Sequence, residues 1–205
     1  MTTSELEQLR SVYEPLTESV RRLIDVSIRT HADEATVKAA IDNIDCAAEQ
    51  LESATLRVGS FGLEHTEDGA LMAWGNVVMG VRNPVAPPLI VHHQADGSVW
   101  ADFVLGAAFE GAAGHVHGGV CAMLLDHVLG ATAHKPGMPA VTGTLTLRYR
   151  RGTRLGRPLR AAAHVDRVDG VKTFAVGNIA DDEGVTVEAE GIFIHPGRGT
   201  RDDVG

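Results

Sequence analysis

His117-Gly118-Gly119-Val120-Cys121-Ala122-Met123-Leu124-Leu125-Asp126-His127 is apolar on nearly every side until its last two residues. It predicts one long helix from about Gly119 to His134, ended by a Pro136-Gly137 break. With no polar face, such a helix is expected to be buried all round. Four strand candidates follow, at 140–150, 158–168, 171–180 and 185–194. Asp169-Gly170 and Glu183-Gly184 suit tight hairpins, so the last three strands should form an antiparallel meander. On the other side of the helix, Leu89 to His93 and Val99 to Leu105 flank the turn Asp96-Gly97 and predict another hairpin. A hairpin, a buried helix and a run of strands make an α+β domain rather than alternating α/β, with one antiparallel sheet wrapped around one central helix.

Further outward the pattern changes. Residues 1–55 carry eleven acidic and five basic side chains. Val37, Ile41, Ile44, Ala48 and Leu51 recur at helical spacing, and a shorter helix fits 17–30 with Thr17 as its N-cap, so a helical hairpin is expected here. From Ala54 to Pro88 the glycines and the turns Asn83-Pro84 and Pro87-Pro88 predict loop with short extended pieces. The expected organisation is an N-terminal helical extension (1–55), a main domain (56–195) and a flexible tail (196–205).

A net charge of −9 argues against general affinity for nucleic acid or anionic membrane, and no stretch reaches the ~20 apolar residues of a stable membrane insertion. Two cysteines, Cys46 and Cys121, make no disulfide framework, and MTTSELEQLR lacks the build of a signal peptide. A cytoplasmic location is the default expectation. There is no P-loop, no Gly-x-Gly-x-x-Gly before a helix and no paired Cys-x-x-Cys.

A carboxylate inside an apolar helix is expensive unless it is hydrogen-bonded or used, which singles out Asp126 for chemistry or for a structural network. Gly118-Gly119 at the helix start lets free N–H groups approach a ligand oxygen, as an oxyanion hole requires; tight helix–sheet packing would select the same glycines. The eight residues from Gly118 to Asp126 span about 12 Å, too far to flank one carbonyl. If both act, one comes from each of two chains across a two-fold interface. Thr142, Thr144, Thr146, Arg148 and Arg150 alternate with Val141, Leu145, Leu147 and Tyr149, predicting a polar and an apolar strand face. His115-x-His117 does not come together with Asp126 or His127 at helix spacing, so no metal site is expected; His117 is expected instead to fix the loop or the helix start.

The ordered set Phe109-Glu110-Gly111, Gly114-His115-Val116-His117-Gly118-Gly119-Val120, Leu125-Asp126 and Gly130 resembles the hotdog-fold thioesterase superfamily. The resemblance continues through Pro139-Ala140-Val141-Thr142, Tyr149, Leu155-Gly156, Gly170 and Glu188-Ala189-Glu190-Gly191. It points to the phenylacetate-pathway type and its acyl-CoA thioesterase relatives, and covers about residues 75–195. It implies hydrolysis of acyl-CoA thioesters by a homo-oligomer, a dimer or a dimer of dimers, with no metal and no cofactor. Asp126 would be general base or nucleophile, the Gly118 amide would polarise the carbonyl with Gly119 beside the substrate, and Thr142 would orient water or substrate. Some relatives carry an Asn six residues before the motif His, where this chain has Gly111, so a second oxyanion contact from that side chain is absent.

Between Arg148 and Lys172 eight basic residues stand against Asp166 and Asp169, a local net of +6. Arginine forks suit the phosphates of CoA, although solvated hairpin faces have the same composition. The resemblance implies that Arg148, Arg150 and Lys172 lie near CoA; where relatives have a basic pair after Gly170, this chain has Val171-Lys172. The rival from another class is a noncatalytic acyl-CoA-binding or regulatory hotdog protein.

Overall fold

The computed structural model describes residues 2–54, 56, 64–65, 67, 71–134 and 138–195. The expected Pro136-Gly137 break and the tail from residue 196 lie outside the described residues. The chain divides into two compact units, 1–85 and 86–205.

In the first unit, helix α1 (Thr3–Arg29) starts on a capping box in which the Thr2 hydroxyl accepts from Glu5 N and the Glu5 carboxylate accepts from Thr2 N. Thr17 is therefore no N-cap: it sits mid-helix and donates to Tyr13 O at 2.9 Å. The helix runs through Pro15, which forgoes one N–H of the ladder. Arg21 fastens α1 to the turn at residues 80–83 by donating to Asn83 O (2.8 Å) and Gly80 O (3.2 Å), and the Arg82 guanidinium lies 3.5 Å from the Tyr13 ring centre. Helix α2 (Glu34–Glu52) is capped by Asp33, whose carboxylate accepts from Thr36 N. It does not pack on α1 as the expected hairpin would: every residue of α2 is exposed, including Val37, Ile41, Ile44 and Leu51. Two short strands, β1 (Glu64–His65) and β2 (Leu71–Met72), form a small antiparallel ladder in the segment expected to hold extended pieces.

The second unit is the predicted α+β arrangement, an antiparallel sheet wrapped around one helix, which is a hotdog fold. Its strands are β3 (His92–His93), β4 (Val99–Phe103), β5 (Val141–Tyr149), β6 (Leu159–Asp169), β7 (Lys172–Asp181) and β8 (Gly184–Ile194). They lie in the order β3-β4-β6-β7-β8-β5, every pair antiparallel. The meander β6-β7-β8 turns at Gly170 (φ +56°) and Gly184 (φ +113°), as the Asp-Gly and Glu-Gly pairs predict. Helix α3 (Gly118–Ala133) packs on strands β4 through β8.

Small residues let the helix approach. Ala161 and Ala163 of β6, Ala175 of β7 and Ala189 of β8 are buried on the helix side. A Cβ at Gly177 would come within 2.8 Å of Leu129 Cδ1, and one at Gly191 within 3.1 Å of its Cδ2, so the two glycines form the hollow that Leu129 fills. Leu124, Leu125 and Leu129 are fully buried, each worth about 1.5–3 kcal/mol. One buried polar chain crosses this core: Cys121 Sγ donates to Thr153 Oγ1, Thr153 to Thr186 Oγ1 (2.8 Å), and Thr186 to Ile179 O (3.0 Å).

Burial of α3 departs from expectation in one respect. Cys121, Leu124, Leu125, Val128, Leu129 and Ala133 are buried, whereas Ala122, Met123, Asp126, His127 and Gly130 are half-buried and Gly119 is exposed. The second set recurs at three-and-four spacing, so it is a single stripe along the helix. A six-stranded sheet covers one side of a helix, and the stripe is the side left open. Strand β5 is open too: it is an edge strand, and seven of its nine residues are exposed. Among the described residues, no helix is long and apolar enough to cross a membrane.

Candidate active site

At the start of α3, His117 is the N-cap, and its Nδ1 accepts from Gly119 N at 3.0 Å. That bond leaves the proton of a neutral ring on Nε2. The His117 carbonyl accepts from both Val120 N (2.9 Å) and Cys121 N (3.2 Å). Its peptide partner, the Gly118 N–H, donates to no acceptor among the described residues. It is one of the orphan donors at the positive end of a helix, as an oxyanion site needs. A Cβ at Gly118 would lie 3.2 Å from the Tyr149 hydroxyl, so a side chain there would crowd the approach. Gly118, His117, Cys121, Tyr149 and Arg151 line a cavity of about 420 Å³.

Two turns further along α3, Asp126 Oδ1 accepts from Thr142 Oγ1 at 2.8 Å. The contact depends on a β-bulge. Thr142 pairs with Phe193 and Thr144 with Ile192, so Gly143 is the extra residue and the alternation of β5 reverses there. Phe193 is buried on the helix side, so its partner Thr142 faces the helix, whereas Thr144, Thr146 and Arg148 face outward with Ile192, Glu190 and Glu188. The expectation that Thr142 shares a face with Arg148 is thus corrected, and the reversal is what brings its hydroxyl to Asp126. Next along the helix, burial pushes the His127 imidazole below its usual range, with the Asp126 carboxylate pulling the other way. Burial pushes the Cys121 thiol up, away from reactivity.

The structure therefore brings together Asp126 with Thr142, and His117 with Gly118 and Gly119. It does not bring Arg148, Arg150 or Lys172 to either group. Arg148 lies 3.7 Å from Glu190, and Arg150 forks onto Glu188. Arg151 pairs with Asp181, Arg154 with Glu183, Arg160 with Asp102 and Arg167 with Asp166. Six of the eight cations are thus matched by acids, most of them from neighbouring strands that the sequence order keeps apart. The sequence places Tyr149 on an apolar strand face and among the residues that carry the resemblance, with no role attached, yet its hydroxyl donates to Gly118 O at 2.9 Å. No local signal marks that contact, which joins residues 31 positions apart. Among the described residues, no three His, Cys, Asp or Glu side chains converge to hold a metal ion.

The family model of the thioesterase superfamily matches residues 113–191, which include both clusters. A solved protein described as a thioesterase superfamily protein is 34% identical over 89% of this chain and 95% of its own, with a TM-score of 0.79. The Escherichia coli PaaI protein from the phenylacetic acid degradation operon is 18% identical over 54% of this chain and 81% of its own, with a TM-score of 0.50. An aspartate-to-alanine mutant of a hypothetical thioesterase protein from Streptococcus pneumoniae is 18% identical over 54% of this chain and 92% of its own, also at 0.50. The last two likenesses show a common fold.

Proposed function

Because this chain belongs to the thioesterase superfamily, we propose that it hydrolyses acyl-CoA thioesters to free acid and CoA, with Asp126 as the catalytic carboxylate. The observation that carries the assignment is the Thr142 to Asp126 hydrogen bond on the open stripe of α3. A carboxylate held by one hydroxyl and reachable from outside keeps its second oxygen for chemistry. Acting as general base, Asp126 takes a proton from water as the water oxygen bonds to the thioester carbon. The oxyanion that forms sits against the unpaired Gly118 N–H. Collapse breaks the carbon–sulfur bond, and the proton passes from Asp126 to the departing CoA thiolate. As nucleophile, Asp126 would instead form an acyl anhydride that water then cleaves; the same groups serve either route. In both, Thr142 orients Asp126 and the attacking water, and His117 holds the first turn.

Gly118 and Asp126 are eight residues apart, about 12 Å on a helix, so one carbonyl is served by Gly118 of one chain and Asp126 of another. The open stripe of α3 and the exposed edge strand β5 suit a second copy, as a dimer or a dimer of dimers. Arg148 and Arg150 are the proposed CoA contacts; to serve, each must exchange its glutamate for a phosphate.

A panel of acyl-CoA substrates assayed by free thiol release tests the reading. The isosteric Asp126→Asn change should lower turnover by ~10²-fold or more with fold and assembly intact. Acyl-CoA binding without turnover in the wild-type protein would replace the enzyme by a noncatalytic acyl-CoA-binding protein.

A further inference from the structure

An oxyanion donor works only if it is aimed before the reaction starts, and this donor has an unfavourable setting. Gly118 and Gly119 are consecutive glycines in the first turn of α3, where a helix frays and where two residues without side chains leave the backbone its widest choice of torsions. Four contacts offset this. The peptide unit before Gly118 is held through the His117 carbonyl, which accepts from Val120 N and Cys121 N. The unit after it is held at both ends: Tyr149 Oη donates to Gly118 O at 2.9 Å, and Gly119 N donates to His117 Nδ1 at 3.0 Å. With both flanking peptide planes held, the torsions at Gly118 are set and its N–H has one direction.

We propose that Tyr149 is a positioning residue whose hydroxyl, with the His117 ring, clamps the Gly118–Gly119 peptide and so aims the Gly118 amide at the substrate carbonyl. Beside the helix ladder, one path crosses the unit: the Tyr149 hydroxyl hydrogen, the Gly118 carbonyl, the Gly119 N–H and the imidazole nitrogen. Tyr149 ends an edge strand and is more than half exposed, so its hydroxyl contributes little to the core and water could serve it equally well. It instead reaches the first carbonyl of α3. The inference rests on the oxyanion role proposed above for Gly118.

The test is Tyr149→Phe, which keeps the ring against Gly118 and removes only the donor. Turnover of an acyl-CoA substrate should fall about five- to tenfold, the worth of one net hydrogen bond, while KM changes less than twofold. Amide hydrogen exchange, followed by NMR on glycine-labelled protein, should accelerate at Gly119 and leave Gly130 in the same helix unchanged. A role confined to stability would move both glycines together and leave the ratio of kcat to KM effects unsplit. Unchanged exchange at Gly119, or unchanged kcat with faster exchange, overturns the proposal. If wild type and Asp126→Asn turn over equally, the hydrolytic reading fails instead, and the exchange rates still decide whether the clamp exists.

Discussion

A mixed-subunit experiment tests the shared active site most directly. One variant is Asp126→Asn. The other is Gly118→Val, whose Cβ alone would lie 3.2 Å from the Tyr149 hydroxyl and 3.3 Å from two ring carbons, so that its methyl groups fill the space in front of the amide. Each homodimer then lacks one half of both sites. In a heterodimer, one site pairs two damaged halves and the other pairs an intact Asp126 with an intact Gly118. Random exchange makes half of the dimers mixed, and half of the sites in those are intact, so the mixture should recover about a quarter of wild-type turnover per chain. The two parents, differently tagged, are unfolded and refolded together, mixed dimers are isolated by sequential pull-down, and thiol release from acyl-CoA is measured. Isolated mixed dimers should reach about half of the wild-type rate. Verified mixed dimers as inactive as their parents, or a stable monomer turning over normally, would refute the 12 Å argument.

Arg148→Ala combined with Arg150→Ala should raise KM for CoA esters more than for truncated thioesters without nucleotide phosphates; equal effects on both would reduce these residues to partners of Glu188 and Glu190. The hydrogen-bonded Arg151 guanidinium, helped by Glu183 N–H, holds the Asp181 carboxyl down at about 2 from 3.8, and the Asp181 side chain is nearly inaccessible. A lowered folded pKa stabilises above the unfolded value and is lost as pH falls through the folded one, so the pair should contribute up to about 2 kcal/mol above pH 4 that disappears towards pH 2. Urea unfolding of wild type and Asp181→Asn should show their gap narrowing across that window, and a constant gap would contradict it. Thr186→Val keeps the side-chain shape but leaves Ile179 O and the Thr153 hydroxyl without their partner, and should cost about 1–3 kcal/mol in urea unfolding; a change under ~0.5 kcal/mol would show that the buried chain is dispensable.

Much of this protein is local and therefore legible in the chain itself. The apolar run after Gly119 makes α3 because a helix with no polar side must be buried somewhere, and the Asp169-Gly170 and Glu183-Gly184 turns set the meander because each needs only its own few residues. Asp126 stands out for the same reason: a carboxylate in an apolar helix is costly wherever the helix lies. What the chain could not reveal depends on partners distant in sequence. The bulge at Gly143 exists only because β5 pairs with β8, and one extra residue there turns Thr142 towards Asp126 and away from Arg148. The basic segment loses most of its excess charge because the sheet and its turns set Glu188, Glu190, Asp181, Glu183 and Asp102 beside it. Tyr149 meets Gly118 because β5 runs along the helix and ends at its first turn. Which side of α3 stays open follows from the reach of six strands, since a sheet that size closes over one face of a helix and leaves the other uncovered.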